Sequence, residues 1–180
     1  MKHVVLIGLP GVGKTTVGRG IADRLGRDFI DLDLDVERSF GKSIDRIFRE
    51  DGEAVFRAAE AEASARIALA RPSVIAPGGG WVLNPGATAH LLDCSRIIYL
   101  RVTPDAAIRR MGRGIDRRPL LSNAGDPIEA MSVIYEARRP WYERFSQMTV
   151  ETSGIGRSNV IAKVAELVLA AERDFVNEND

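Results

Sequence analysis

Gly8-Leu9-Pro10-Gly11-Val12-Gly13-Lys14-Thr15 decides the fold of this chain. The stretch fits G-x-x-x-x-G-K-[ST] at every fixed position, directly after an apolar run at 4–7 and directly before a segment of helical periodicity that opens at Lys14. Glycines let backbone N–H groups turn inward around phosphates, and the following helix points its positive end at them. In such a cradle Gly11, Val12, Gly13 and Thr16 surround the nucleotide phosphates, Lys14 reaches the β and γ groups, and Thr15 ligates Mg²⁺. An ordinary glycine turn between strand and helix needs neither a lysine nor a hydroxyl at these two places. The stretch therefore predicts an ATP-binding α/β phosphotransferase.

Working outward, strand-length apolar runs at 29–32, 73–76, 96–102 and Met148–Glu151 alternate with helical segments. The helical segments are Lys14–Leu25, 43–50, 53–70, Pro104–Met111, Pro127–Phe145 and 158–173, with Pro140 expected to kink or divide the fifth. This alternation predicts a parallel five-stranded sheet flanked by helices, in one domain over 1–176, with a frayed tail at 177–180. The stretch 112–126 is polar, glycine-containing and arginine-rich, and reads as a long lid loop.

Composition narrows the partners. Twenty-five basic residues balance twenty-five acidic ones, so no global field draws nucleic acid or an anionic membrane, and any anion must be recognised locally. Cys94 has no second cysteine to pair with and reads as buried and inert, while His3 and His90 lack metal-ligand spacing. The run at 4–7 is too short for a signal peptide or a membrane span, so the expectation is a cytoplasmic protein, with a monomer as the expected state.

The acceptor half is written in weaker signals. Asp31 and Asp33 stand two apart at the end of the second predicted strand, at the sheet edge where ligands bind. They suit a metal shell and an acceptor hydroxyl, although a solvated acidic loop fits the same spacing. Arg57 and Glu60, in Gly52-Glu53-Ala54-Val55-Phe56-Arg57-Ala58-Ala59-Glu60, read alone as a surface ion pair. Gly78, Gly79 and Gly80 leave the third strand end bare of side chains. Two cationic clusters follow, Arg117-Arg118-Pro119-Leu120-Leu121 and Arg138-Arg139-Pro140-Trp141-Tyr142.

Taken in order, these pieces resemble the shikimate kinase family over most of the chain: its P-loop, Asp-x-Asp pair, G-E-x-x-F-R-x-x-E helix start, triple glycine, R-P-L-L lid and R-x-P-x-Y helix. The resemblance implies a nucleoside-monophosphate-kinase-like P-loop fold, with ATP and Mg²⁺ as cofactors and transfer of a phosphoryl group to the 3-hydroxyl of shikimate. Carried over by position, it makes Lys14, Asp33 and Arg118 catalytic, with Asp33 the candidate base. Asp31 supports the metal of Thr15 through water. Shikimate is held by Asp33, Arg57, Gly78, Gly79, Gly80 and Arg138, within an acceptor region at about 33–62. Arg110 lies against the adenine and Arg118 meets the transferring phosphate, though the arginine-rich run 109–118 offers alternatives for both roles.

Two residues depart from the family pattern. Pro77 replaces a usual Thr, and Trp81 stands where a small residue is common, either packing under the pocket or narrowing it. The competing readings are a kinase for another hydroxyl compound, such as gluconate or a nucleoside monophosphate, and a ligand-sensing relative without catalysis.

Overall fold

The apolar run after His3 becomes a strand buried along its whole length, as a central strand covered on both faces must be. In chain order the elements are β1 (His3–Ile7), α1 (Lys14–Leu25), β2 (Phe29–Asp31), α2 (Leu32–Phe40), α3 (Ile44–Glu50), α4 (Glu53–Ala68), β3 (Val74–Ala76), α5 (Pro85–Leu91), β4 (Ser95–Arg101), α6 (Pro104–Met111), α7 (Pro119–Ser122), α8 (Pro127–Phe145), β5 (Met148–Glu151) and α9 (Arg157–Asn177). Single 3₁₀ segments lie at Trp81–Leu83 and Gly112–Arg117. The computed structural model describes residues 1–117 and 119–177, without the side chains of 113, 116, 117, 119, 120 and 175–177.

The strands form one parallel sheet in the order β2-β3-β1-β4-β5, the five-stranded arrangement the alternation predicts. Val5, Leu6, Ile75, Ile97 and Ile98 fill its centre with no exposed surface, and Ile21, Val164 and Val168 cover it from α1 and α9. Register places the site. Asp31 pairs with Ala76, so the acidic end of β2 and the glycine run after β3 leave the sheet side by side.

The structure departs from the sequence reading in several places. The acidic stretch after β2 is a helix, not a loop, and β2 stops at Asp31. Asp31 accepts from the Leu34 N–H at 3.3 Å as N-cap, Asp33 and Asp35 fall in the positively poled first turn, and Leu32 and Val36 bury one turn apart. Helix α5 lies outside the predicted helical segments; Asn84 caps it, with Pro85 at its first position.

The 112–126 segment is not a plain loop either. It carries a 3₁₀ segment and α7, and Leu121 is 1% exposed, an apolar anchor for the segment's middle. Pro140 does not divide α8, which runs unbroken from Pro127 to Phe145. Pro140 and Glu136, whose carbonyl loses its helix partner, are both exposed, so water can satisfy it. Cys94 is half-buried rather than buried, its thiol 3.4 Å from the His90 carbonyl.

Candidate active site

The cradle begins where β1 ends. Gly11 adopts φ +81°, and a side chain there would meet the Ala107 carbonyl oxygen at 2.6 Å, so only glycine lets the loop pass α6. Gly13 is likewise left-handed and caps α1. Lys14 leads the helix, and its Nζ donates to the Gly8 and Leu9 carbonyls at 2.8 and 3.2 Å, holding the ammonium over the mouth of its own loop. Val12 is buried and Thr16 is exposed.

Thr15 Oγ1 donates to Asp31 Oδ2 at 2.9 Å. The pair offers hydroxyl and carboxylate oxygens at the foot of the cradle, the hard donors Mg²⁺ takes together with phosphate oxygens and water. Among the described residues no group of three or more His, Cys, Asp and Glu stands together as a metal cage, and Mg²⁺ bound through phosphates needs none. The residues therefore fit the ion.

The two adjacent arginines on α6 separate. Arg109 turns to Asp105 at 2.5 Å on the helix's own exposed face. Arg110 turns inward, donating to Thr152 Oγ1 at 2.9 Å, to the Thr152 carbonyl, and to the Val12 carbonyl at 3.3 Å. It thus joins the cradle to the segment after β5. Arg118 lies outside the described residues.

The acceptor side converges on the three glycines. A methyl group at Gly78 would stand 2.6 Å from Asp33 Oδ1, so the Asp33 carboxylate lies against that backbone. At Gly79 it would touch Pro10 of the cradle at 3.0 Å and Arg138 Nη1 at 3.1 Å. At Gly80 it would meet Arg57 Nη2 at 3.2 Å and Arg138 Nη2 at 3.7 Å. Two guanidiniums from α4 and α8 therefore meet at one backbone position, with Asp33 two residues away and the cradle between.

Neighbours aim these groups. Arg57 donates to Glu60 Oε2 at 2.9 Å and to Glu53 at 3.1 Å, leaving it held on one side. Arg138 has no ion pair among the described residues. Tyr142, one turn along α8, donates to the Gly79 carbonyl at 2.8 Å and stacks on Tyr99, ring centroids 5.1 Å apart. Burial pushes the Tyr142 phenol up to about 12, against the pull of the Arg138 guanidinium beside it, so it remains a donor at neutral pH.

Sequence reasoning left Glu60 on the surface, yet it is 1% exposed and also accepts from Asn84 Nδ2 at 2.9 Å. Phasing was the available signal: Phe56, Ala63 and Ile67 are buried on α4, and Glu60 shares their face. Of the two readings of Trp81, packing under the pocket holds, because the ring is 0% exposed and faces α4. Pro77 is buried at the end of β3.

The family model described as shikimate kinase matches residues 10–169. The chain is 44% identical over 149 residues to a shikimate kinase of Thermobifida fusca, covering 83% of this chain and 84% of that one. To a shikimate kinase of Salinispora arenicola it is 43% identical over 166 residues, covering 92% and 97%. Shikimate kinase from Acinetobacter baumannii in complex with shikimate superposes with a TM-score of 0.88 at 30% identity, covering 95% and 94%. A phosphate cradle, paired arginines at a glycine floor and homology running through nearly the whole length lead to one conclusion: the chain belongs to the shikimate kinase family.

Proposed function

We infer that the chain transfers the γ-phosphoryl group of ATP to the 3-hydroxyl of shikimate, a step toward chorismate and the aromatic amino acids. The observation that carries this reading is the meeting of Arg57 and Arg138 at Gly80, across the glycine floor from Asp33. Two guanidinium forks match one carboxylate in geometry as well as charge. A carboxylate fixed there turns the ring hydroxyls toward Asp33 and the cradle.

Phosphoryl transfer asks the protein for alignment and for places where negative charge can rest. ATP would supply the transferred group, and Mg²⁺ would supply positive charge to offset that of the phosphates. In this reading Thr15 ligates that ion and Asp31 orients its water. Lys14, already over the loop mouth, shifts its donors from the Gly8 and Leu9 carbonyls to phosphate oxygens. Gly11, Val12, Gly13 and Thr16 contribute the rest of the cradle, and Arg110 flanks the nucleotide beside Thr152. Asp33 accepts the proton of the attacking hydroxyl, and Tyr142 holds the floor by its bond to Gly79. Arg118, by its lid motif, meets the transferring phosphate. The lid at 112–126 shuts out water, which otherwise competes as acceptor.

The reading extends to a single catalytic domain working as a monomer in the cytoplasm. Among the described residues no helix is long and apolar enough to cross a membrane. A coupled assay with ATP, Mg²⁺ and a panel of shikimate, gluconate and nucleoside monophosphates tests the activity. Turnover confined to shikimate is expected. Preference for gluconate or a nucleoside monophosphate redirects the acceptor assignment, and shikimate binding without ADP release makes the chain a sensor.

A further inference from the structure

Trp81 fills a place that the phosphate and acceptor chemistry leaves unexplained. It opens the 3₁₀ segment directly after Gly80, is 0% exposed, and among the described residues no larger side chain is fully buried. Its indole Nε1 donates to Ser64 Oγ at 3.2 Å, and that hydroxyl in turn donates to the Glu60 carbonyl at 2.8 Å. Ser64 is itself 0% exposed. One turn back along α4, Asn84 Nδ2 donates to Glu60 Oε2 and to the Arg57 carbonyl, both at 2.9 Å. The Asn84 N–H closes the ladder by donating to the Trp81 carbonyl at 3.0 Å.

The segment Trp81–Asn84 is thus tied to α4 by two rungs, and both rungs lead to the turn that carries Arg57 and Glu60. A directional bond between an indole and a hydroxyl, both without water, is satisfied in one relative placement only. Sliding α4 along the glycine floor breaks it. Close packing holds α4 against the floor, and the bond adds the direction that apolar contacts lack. The distance between the floor at Gly80 and the Arg57 fork therefore depends on this brace.

We propose that Trp81 and Ser64 are positioning residues for the acceptor, setting the Arg57 guanidinium against the Gly78–Gly80 floor so that its fork meets the shikimate carboxylate. The proposal rests on the clamp assigned to Arg57 and Arg138 above. It separates the acceptor from the nucleotide, because among the described residues neither side chain has a hydrogen bond to the cradle.

The test is steady-state kinetics of Trp81→Phe, which keeps an aromatic ring and removes the donor, and of Ser64→Ala, which removes the acceptor. Each should raise the KM for shikimate about tenfold, the scale of one buried hydrogen bond. The kcat and the KM for ATP should stay within about twofold. The double variant should be no worse than the poorer single one, since both lose the same bond. A uniform fall in kcat, an equal rise in both KM values, or no change overturns the brace. Should Trp81→Phe fail to fold, Ser64→Ala decides on the same readouts. If the unmodified protein does not phosphorylate shikimate, the functional reading itself falls; if it does and both variants keep their KM, only the brace falls.

Discussion

Thr15 Oγ1 donates a 2.9 Å hydrogen bond to Asp31 Oδ2, tying the first turn of α1 to the end of β2. The bond places a carboxylate one side chain away from the hydroxyl assigned to Mg²⁺, where it can orient water in the metal's shell without ligating the ion itself. Asp31→Asn keeps an oxygen for Thr15 and removes the charge. The half-saturating concentration of free Mg²⁺ should rise about tenfold or more, read from initial rates at saturating ATP and shikimate. An unchanged Mg²⁺ dependence removes Asp31 from the metal shell.

Lys14→Ala should abolish transfer, because the ammonium stabilises charge that grows in the transition state. Two of its bonds run to the carbonyls of its own loop, and the variant should keep the far-ultraviolet circular dichroism of the folded protein. Near-normal turnover in the folded variant contradicts the cradle assignment.

Arg138→Ala is the cleaner probe of the carboxylate clamp. Arg57 also neutralises Glu60, which is 1% exposed, so Arg57→Ala strands a buried carboxylate and costs stability as well. Each substitution should lower kcat/KM for shikimate by on the order of 2–5 kcal/mol, with the pair non-additive, while ATP binding without acceptor barely changes. A decarboxylated shikimate analogue should be poorer by roughly 10⁴ in the unmodified protein. Equal use of the two acceptors disproves the clamp.

His3 predicts an acid limb in stability. It is 3% exposed at the start of β1, where its Nδ1 accepts from the Ser73 N–H at 3.0 Å. Burial, aided by the nearby Arg27 cation, holds the imidazole below its ordinary value near 6.5. Below about pH 6.5 the unfolded chain takes up a proton that the folded chain resists, so stability falls as pH drops; above it both states are neutral and the contribution is constant. Melting temperatures from pH 8 to 5 should decline, and His3→Asn, which keeps an acceptor, should flatten that decline. Parallel curves for the two proteins refute the assignment.

The nucleotide half was legible because it is contiguous: eight successive residues carry its geometry, and their roles follow from local backbone freedom and side-chain type. The order of strands and helices was equally local, following from the period of apolar residues. What the linear reading misplaced depends on competition between neighbours. The acidic stretch after β2 became α2 because Asp31 caps Leu34 and a buried face waited for Leu32 and Val36. Glu60 left the surface because its helix face is pressed against the 3₁₀ segment that Asn84 ends.

The chain's letters alone determine that a phosphate cradle follows a central strand, since a glycine loop, a lysine and a hydroxyl act within one turn of backbone. They do not determine the acceptor pocket. Arg57, Arg138 and Gly80 are far apart in the chain and come within 3.7 Å of one point only when α4, α8 and the end of β3 are packed. Burial chose Arg110 over Arg109 for the cradle and sent Trp81 under the floor. Those choices depend on which surfaces the sheet covers, and long-range packing alone decides that.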